Sequence, residues 1–363
     1  MNNNRKKGIS SHKRLRLNDS EIDLIQQYRG IKVATDEADV NDADVKHGWL
    51  KTDKASLFFK NPNFKTESEQ GFEIIKNETI EAVKIHAPKY KSIERIKDTD
   101  SNLLVIDIAD LHIGKLASAF ETGEDYNCQI AVKRAKEGLI GIIQKSKGYS
   151  IDKILFVAGN DILHTDNTKR QTTSGTPQDT DGMWYDNFLT AKQLYIELLE
   201  MLIPIADVEV VYNPSNHDYT HGFFLLQLIE AHFNKSNNIT FNVDLKHRKA
   251  FQYFDNFIGT THGDGAKLEA LPLLYATEYS ILWANTKHRY VYTHHIHHKS
   301  GKDFPGITIE SLRSPSGTDS WHHRNGFCGG VKAVEGYIHS KHNGQVARLT
   351  HLFSALLIIT HLF

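Results

Sequence analysis

Cysteine is scarce in this sequence. The chain of 363 residues has two cysteines, Cys128 and Cys328, which lie far apart and form no CxxC pair. A disulfide framework and a cysteine zinc site are therefore not expected. A reducing, cytoplasmic location fits this composition best.

Net charge and long apolar segments are also lacking. The chain has 43 Lys and Arg against 44 Asp and Glu, so contacts to nucleic acid would have to come from local patches. The N-terminal stretch MNNNRKKGISSHKRLRL has no apolar region of a secretory signal. The apolar C-terminal stretch LFSALLIITHLF has only twelve residues, too short to span a bilayer, and favours a terminal strand or a docking segment. We expect no membrane association.

Histidine, in contrast, is abundant. The chain has 21 histidines, and neutral imidazole is the commonest metal ligand among protein side chains. Four of them follow a strand-like pattern in YVYTHHIHH, residues 290–298. Taken alone, this stretch fits a polar loop as well as half of a metal site.

Residues 1–97 have the composition of a small accessory region. Six of the first sixteen residues are Lys or Arg, followed by a short helical pattern ending at Gly30. An acidic, turn-rich linker comes next, and then a strand stopped by Pro62. The basic arm fits a solvated tail, which charge runs usually are, and also a contact to DNA.

From residue 98 to 345 apolar runs alternate with helical patterns, which is typical of an α/β domain built from βαβ units. Helices are predicted over 127–147, 182–203 and 222–235, with a long polar loop over 165–181 and an apolar tail over 346–363. The predicted strands are NLLVIDIAD, KILFVAGND, VEVVYNPSNHD, NFIGTTHGD and RYVYTHHIHH. Each of these runs ends in Asp, Asn or His.

These strand ends carry seven potential metal ligands. Ligands of α/β proteins bind beyond the carboxyl ends of the strands, where side chains from several strands converge. Two carboxylates, one amide and four imidazoles are too many for one tetrahedral zinc and suit two divalent ions that share a carboxylate, an arrangement that hydrolyses phosphate esters. The candidates are Asp110, His112, Asp161, Asn216, His262, His295 and His297.

The blocks ADLHIGK, AGNDILH, SNHD, THGD and HHIHH resemble the ordered motifs of the calcineurin-like metallophosphoesterase superfamily, over about residues 100–300. The first block is especially similar to that of SbcD-type DNA repair nucleases. The resemblance implies a four-layer α/β/β/α sandwich. A compact esterase with a basic leader also fits a phage-encoded enzyme.

The resemblance also implies roles for the candidate residues. Asp110, His112 and His297 would hold one metal, Asn216, His262 and His295 a second, and Asp161 would bridge the two. The ions implied are two divalent cations, with Mn²⁺ expected first and Fe²⁺ or Zn²⁺ also suited to these donors.

Three further residues receive catalytic roles by the same resemblance. His217 would protonate the leaving oxygen or stabilise charge on the phosphoryl group. His164 would help to orient the scissile phosphate. Asp218 would support the site by steering the imidazole of His217.

The sequence departs from the family pattern at three glycines, replaced by Asn160, Ser215 and His294. Asn tolerates positive φ well and histidine less well, so backbone strain is expected first at His294. His295 and His297 should project to the same side if the segment stays extended. His294 and His298 are expected to support the ligands or face solvent.

The stretch SPSGTDSWHHRNGF, residues 314–327, has two interpretations. It fits a surface loop that packs one aromatic side chain. It also fits a substrate contact in which Trp321 stacks on a base and Arg324 meets a phosphate. Lys169 and Arg170, in the loop after His164, have the same two interpretations.

The function expected from the sequence is a two-metal phosphoesterase, and within that class a DNA nuclease. The alternatives are a nucleotide or protein phosphatase of the same fold and a non-catalytic metal-binding scaffold. Nuclease subunits of the SbcD type work with an ATPase partner, but nothing in the sequence indicates where one would bind.

Overall fold

The computed structural model describes residues 47–51, 56–60, 77, 79–95 and 99–353. The chain divides into two compact units, Met1–Thr79 and Ile80–Phe363. In the first unit, β1 (His47–Lys51) and β2 (Ser56–Lys60) form an antiparallel hairpin. β2 is the strand predicted before Pro62. The basic arm and the helix predicted after it lie outside the described residues.

The second unit contains a six-stranded sheet. Its strands are β3 (Asn102–Asp107), β4 (Ile151–Gly159), β5 (Asp207–Asn213), β6 (Ile239–Asn242), β12 (Lys332–Ser340) and β13 (Gly344–Phe353). They lie in the order β13-β12-β3-β4-β5-β6. The strands from β3 to β6 are parallel, and β12 is antiparallel to both of its neighbours.

A five-stranded sheet faces it. Its strands are β7 (Arg248–Tyr253), β8 (Asn256–Thr261), β9 (His288–Thr293), β10 (Ser300–Phe304) and β11 (Ile307–Ser311). They lie in the order β10-β11-β9-β8-β7, and β8, β9 and β11 are parallel to one another. The predicted strand starting at residue 289 is β9, but it ends at Thr293.

Helices flank the sheets. They are α1 (Ala119–Thr122), α2 (Cys128–Ser146), α3 (Trp184–Leu202), α4 (Tyr219–His232), α5 (Leu271–Glu278), α6 (Ser280–Ala284) and α7 (Ser320–Arg324). The predictions for α2 and α3 are confirmed to within two residues. α4 starts three residues before its predicted start because the Asp166 carboxylate accepts hydrogen bonds from the backbone N–H of Thr220 and His221, at 2.9 and 2.7 Å.

Alternating side chains on the strands divide the core into layers. On β3, Leu104 and Ile106 pack against α2, α3 and α4, whereas Leu103 and Val105 pack between the two sheets. The outer face of the second sheet, including Phe257, packs against α5. The predicted four-layer α/β/β/α architecture is therefore confirmed.

The second unit begins before residue 98 and includes the start of the predicted tail. The ring of Tyr90 stacks on Phe233 at 5.2 Å, and the backbone of Ile93 bonds the amide of Asn238. β13 occupies residues 344–353, and residues 354–363 lie outside the described part. Within that described part, no helix has the length and apolar character needed to cross a bilayer.

Candidate metal centre

The carboxyl ends of strands from both sheets meet at one edge of the sandwich. Asp110 and His112 follow β3, Asp161 follows β4 and Asn216 follows β5 of the first sheet. The remaining three candidates come from the second sheet, where His262 follows β8, and His295 and His297 follow β9. Parallel strand direction within each sheet is what brings these distant positions together.

Asp110, His112 and His297 form the first donor group. One potential ligand atom from each lies within 4.8 Å of the other two. Nε2 of His297 is 3.5 Å from Oδ1 of Asp110 and 3.3 Å from Nε2 of His112. These are the three residues expected to hold one metal.

Asp161, His262, His295 and Asn216 form the second donor group. Ligand atoms of the first three also lie within 4.8 Å of one another. The amide oxygen of Asn216 is 2.8 Å from Nε2 of His262. The four residues expected to surround the second metal are thus adjacent.

Asp161 lies between the two groups. Its Oδ2 is 3.3 Å from Nε2 of His262 and 3.9 Å from Nε2 of His112, and the side chain is buried. Burial alone would raise the pKa of this carboxyl, but the charges of His262 and His217 lower it well below its usual range. The carboxylate is therefore ionised and faces imidazoles of both groups.

The donor set fits divalent cations. Burial and the nearby charge of Lys115 hold the pKa of His112 well below its usual range, so this imidazole is neutral, as a ligand must be. Nε2 of His112 lies 3.3 Å from Nε2 of His297, and Nδ1 of His112 lies 3.3 Å from Nδ1 of His164. Convergent lone pairs and ionised carboxylates in a buried site are the ligand chemistry of mixed nitrogen and oxygen metal centres.

Six residues at or beside the candidate ligands adopt left-handed backbone conformations. They are Asp110, His112, Asn160, Asp161, His295 and His297, with φ between 49° and 71°. Such conformations are uncommon for residues with a side chain and cluster at functional sites. Gly159 directly precedes Asn160. This position requires glycine, because an added Cβ would lie 2.0 Å from the carbonyl oxygen of Asn213.

The strain expected at His294 is found at its neighbours instead, and that expectation was wrong. His294 is not among the residues with positive φ, whereas His295 and His297 are. Its buried ring lies 2.9 Å from Oδ2 of Asp107 and 3.0 Å from the carbonyl oxygen of Thr261. His295 and His297 were expected to project to the same side if their segment stayed extended. The segment is not extended, because β9 ends at Thr293. His295 and His297 lie in different donor groups, and each adopts a left-handed backbone conformation.

Ser215 has a structural use that glycine lacks. Its hydroxyl donates to Oδ1 of Asp218 at 2.7 Å and accepts from the backbone N–H of Asp161 at 2.7 Å. The serine therefore fixes the backbone of the carboxylate that lies between the two donor groups.

Asp218 does not steer His217, contrary to the prediction. Its other carboxylate oxygen accepts from the backbone N–H of Leu163 at 2.9 Å, so it connects the loops after β4 and β5. Burial, and then the negative charge of Asp161, raise the pKa of Asp218 to about 7. Its described contacts support the backbone of the site and not the imidazole.

His217 and His164 lie beside the first donor group. Nδ1 of His217 is 3.0 Å from the carbonyl oxygen of His164, and the two rings stack at 5.2 Å and 18°. The His217 backbone N–H donates to Oδ1 of Asp161 at 2.9 Å. Nδ1 of His217 thus carries the proton that it donates to the carbonyl, which leaves Nε2 for chemistry.

Three residues at the site were not predicted. Lys115 is buried, and its ammonium group is 2.9 Å from Oδ2 of Asp319. Asp319 caps α7 and contacts Nδ1 of His322 at 2.7 Å, and the His322 ring stacks on His297. The sequence contains one indication of this ion pair. Lys115 follows the candidate ligands Asp110 and His112 on a buried segment, and a buried ammonium group requires a partner of opposite charge.

No protein-family model matches the sequence, and no curated protein matches it. Solved structures with similar architecture include an archaeal phosphodiesterase, with 7% identity over 69% of this chain and 99% of that one at a TM-score of 0.33. Zinc-bound Vps29 from Entamoeba histolytica has 14% identity over 69% and 99% of the two chains, at a TM-score of 0.29. A putative 5'-nucleotidase from Staphylococcus aureus has 11% identity over 72% and 56%, at a TM-score of 0.34. Similarity this low does not show the function of this chain.

Proposed function

We propose that the protein is a metal-dependent phosphoesterase that hydrolyses phosphodiester bonds, with DNA as its substrate. The observation that carries the proposal is the position of Asp161, whose Oδ2 lies within 4 Å of an imidazole from each donor group. A carboxylate shared between two groups of imidazole donors is what a two-metal hydrolytic centre requires. Burial lowers the pKa of His112, His295 and His297. For His262, burial is outweighed by the charge of Asp161, which raises the pKa to about 9, so this imidazole would have to release a proton when a metal binds.

The metals would be held by the two donor groups. Asp110, His112 and His297 would hold one ion, Asn216, His262 and His295 the other, and Asp161 would contact both. Bound divalent ions would supply a nucleophile at neutral pH and neutralise charge on the phosphoryl oxygens. Mn²⁺ is our first choice, because this mixed set of oxygen and nitrogen donors suits it.

The chain's own residues would handle the leaving group. With Nδ1 of His217 donating to the carbonyl of His164, Nε2 is the atom that would take up a proton and pass it to the leaving oxygen. The stacked ring of His164 restricts rotation of His217 and adds a second imidazole on the same side. These two histidines would therefore orient the scissile group and complete the proton transfer.

DNA is preferred to a small nucleotide or a phosphoprotein for two reasons. The ADLHIGK block and His164 resemble the DNA repair nucleases, and the basic N-terminal arm offers contacts to phosphates. A non-catalytic scaffold is disfavoured because it would be expected to lose ligands, and here all seven candidates and His217 are present.

The test is a hydrolysis assay on purified full-length protein with bis-p-nitrophenyl phosphate, linear single- and double-stranded DNA, and a nucleoside monophosphate. We expect hydrolysis of the diester and of DNA, lost with a chelator and restored by Mn²⁺. Hydrolysis of the monophosphate alone would contradict the DNA assignment. Bound metal without activity on any of the four would contradict the enzyme assignment.

A further inference from the structure

Two aromatic side chains are exposed beside the candidate metal centre. Trp321 on α7 is 59% exposed and Phe327, just after that helix, is 61% exposed. Their rings are nearly parallel, with centroids 5.8 Å apart and an interplanar angle of 27°. Large aromatic rings bury area readily, so a stacked pair left in water is a surface suited to a flat apolar ligand.

A continuous series of ring contacts connects this pair to the first donor group. The indole of Trp321 contacts the ring of His322 edge to face at 5.1 Å. His322 in turn stacks on His297 with centroids 5.1 Å apart at 18°. The indole is therefore separated from His297, a candidate metal ligand, by the single ring of His322. A base stacked on Trp321 would lie close to the candidate metal centre.

Polar contacts fix the position of α7. The Asp319 side chain caps the helix by accepting from the backbone N–H of His322 at 2.9 Å. The buried ammonium group of Lys115 forms an ion pair with Oδ2 of Asp319 at 2.9 Å. The hydroxyl of Ser320 donates to the carboxylate of Glu121 on α1 at 2.5 Å. The two rings are thus presented by an anchored segment, which lowers the entropic cost of binding a ligand on them.

We propose that Trp321 and Phe327 form a stacking surface for a nucleobase next to the scissile phosphodiester. This inference rests on the proposed function and adds that esters carrying a base are preferred to esters that lack one. Base-aromatic stacking accepts any base, because every base has a π face. The surface would therefore favour nucleic acid without specifying its sequence.

Charge on the same helix favours a nucleic acid over a protein partner. The last turn of α7 carries His322, His323 and Arg324, and the acidic N-cap residue, Asp319, is neutralised by its ion pair with Lys115. Arg324 is exposed and close in sequence to the rings, so it is available to a phosphate of the nucleotide that stacks on Trp321. A flat ring pair beside a cation matches the two parts of a nucleotide.

The kinetic test compares two Mn²⁺-dependent reactions that both release p-nitrophenolate. One ester, thymidine 5'-(p-nitrophenyl phosphate), has a base, and the other, methyl p-nitrophenyl phosphate, has none. In Trp321→Ala we expect the ratio of kcat/KM for the first ester to that for the second to fall by at least about fivefold, with Trp321→Phe within about twofold of wild type. Phe254→Ala, an exposed aromatic at the other end of β8, is the matched control. An unchanged ratio in Trp321→Ala would overturn the proposal.

A binding test separates failure of this inference from failure of the proposed function. Oligothymidylate should quench the tryptophan fluorescence of the wild-type chain by stacking on Trp321, and Trp321→Phe should abolish most of that quenching while Phe254→Ala retains it. This readout needs no catalysis, so it decides the inference even if neither ester is hydrolysed. Absence of quenching in the wild type, or equal quenching in Trp321→Phe, would overturn the stacking surface.

Discussion

Oδ2 of Asp161 lies 3.3 Å from Nε2 of His262, although the two residues follow strands of different sheets. The candidate metal centre is thus assembled where the two sheets meet, and not on one of them. Its geometry depends on how the sheets pack, through the layer that contains Val105, Val157 and Tyr292. Function and folding are coupled in this arrangement, because the ligands come together only when both sheets are formed.

Replacement of His217 should remove catalysis and leave the metals in place. His217→Ala deletes Nε2, the atom assigned to the leaving group, so we expect kcat on linear DNA to fall by about 10² to 10⁴. Metal content, measured by atomic emission, should match wild type. His298→Ala, an exposed histidine of the same HHIHH block, serves as the control. A parallel loss of metal in His217→Ala would show that His217 holds a metal.

Removal of the Ser215 hydroxyl should destabilise the protein. Ser215→Ala leaves a buried carboxylate oxygen of Asp218 and the backbone N–H of Asp161 without this partner, and we expect a loss of about 1 to 3 kcal/mol in the free energy of unfolding. Urea denaturation followed by circular dichroism measures it.

Ser236→Ala is the matched control for that measurement. The Ser236 hydroxyl is buried with no hydrogen-bond partner among the described residues, so its loss should cost less than about 0.5 kcal/mol. Equal effects of the two substitutions would show that the hydroxyl of Ser215 has no special role.

His339 should make the protein sensitive to acid. Burial between the sheets lowers its pKa to about 3, whereas an unfolded histidine titrates near 6.5. The unfolded chain therefore takes up this proton first as the pH falls, and stability decreases below pH 6.5 by about 1.4 kcal/mol per unit.

The substitution that isolates this effect is His339→Gln. Between pH 7 and pH 5 the wild type should lose about 2 kcal/mol more than the variant in the free energy of unfolding, because only the wild type binds the extra proton when unfolded. Denaturant titrations at both pH values give the difference. Equal losses would mean that His339 is protonated in the folded protein as well.

The sequence predicted those parts of the fold that local patterns determine. Apolar runs and helical spacing located β3, β4, β5, α2 and α3, and polar residues at the strand ends located the candidate ligands. β12 was missed because it contains a charged residue, Glu335, that is buried in the fold. Arg313 and Arg348 neutralise this carboxylate, and no local pattern shows those contacts. The start of α4 was placed late because Asp166, which caps it, lies on another loop.

Finer features of the site depend on tertiary contacts. The bonds that Ser215 and Asp218 make to the backbone of Asp161 and Leu163, and the ion pair of Lys115 with Asp319, all join segments whose relative position only the folded chain determines. For this reason the sequence identified which residues converge but assigned the strain to His294 and the wrong contact to Asp218.

The number of metal ions bound per chain tests the two-metal assignment most directly. Full-length wild type titrated with Mn²⁺ in a calorimeter should bind two ions. Asp161→Asn should bind both at least about tenfold more weakly, since its carboxylate faces both donor groups. Asp303→Asn, which alters an exposed carboxylate on β10, should behave as wild type. A wild-type chain that binds fewer than two ions, or an Asp161→Asn chain that binds two with unchanged affinity, would contradict the account.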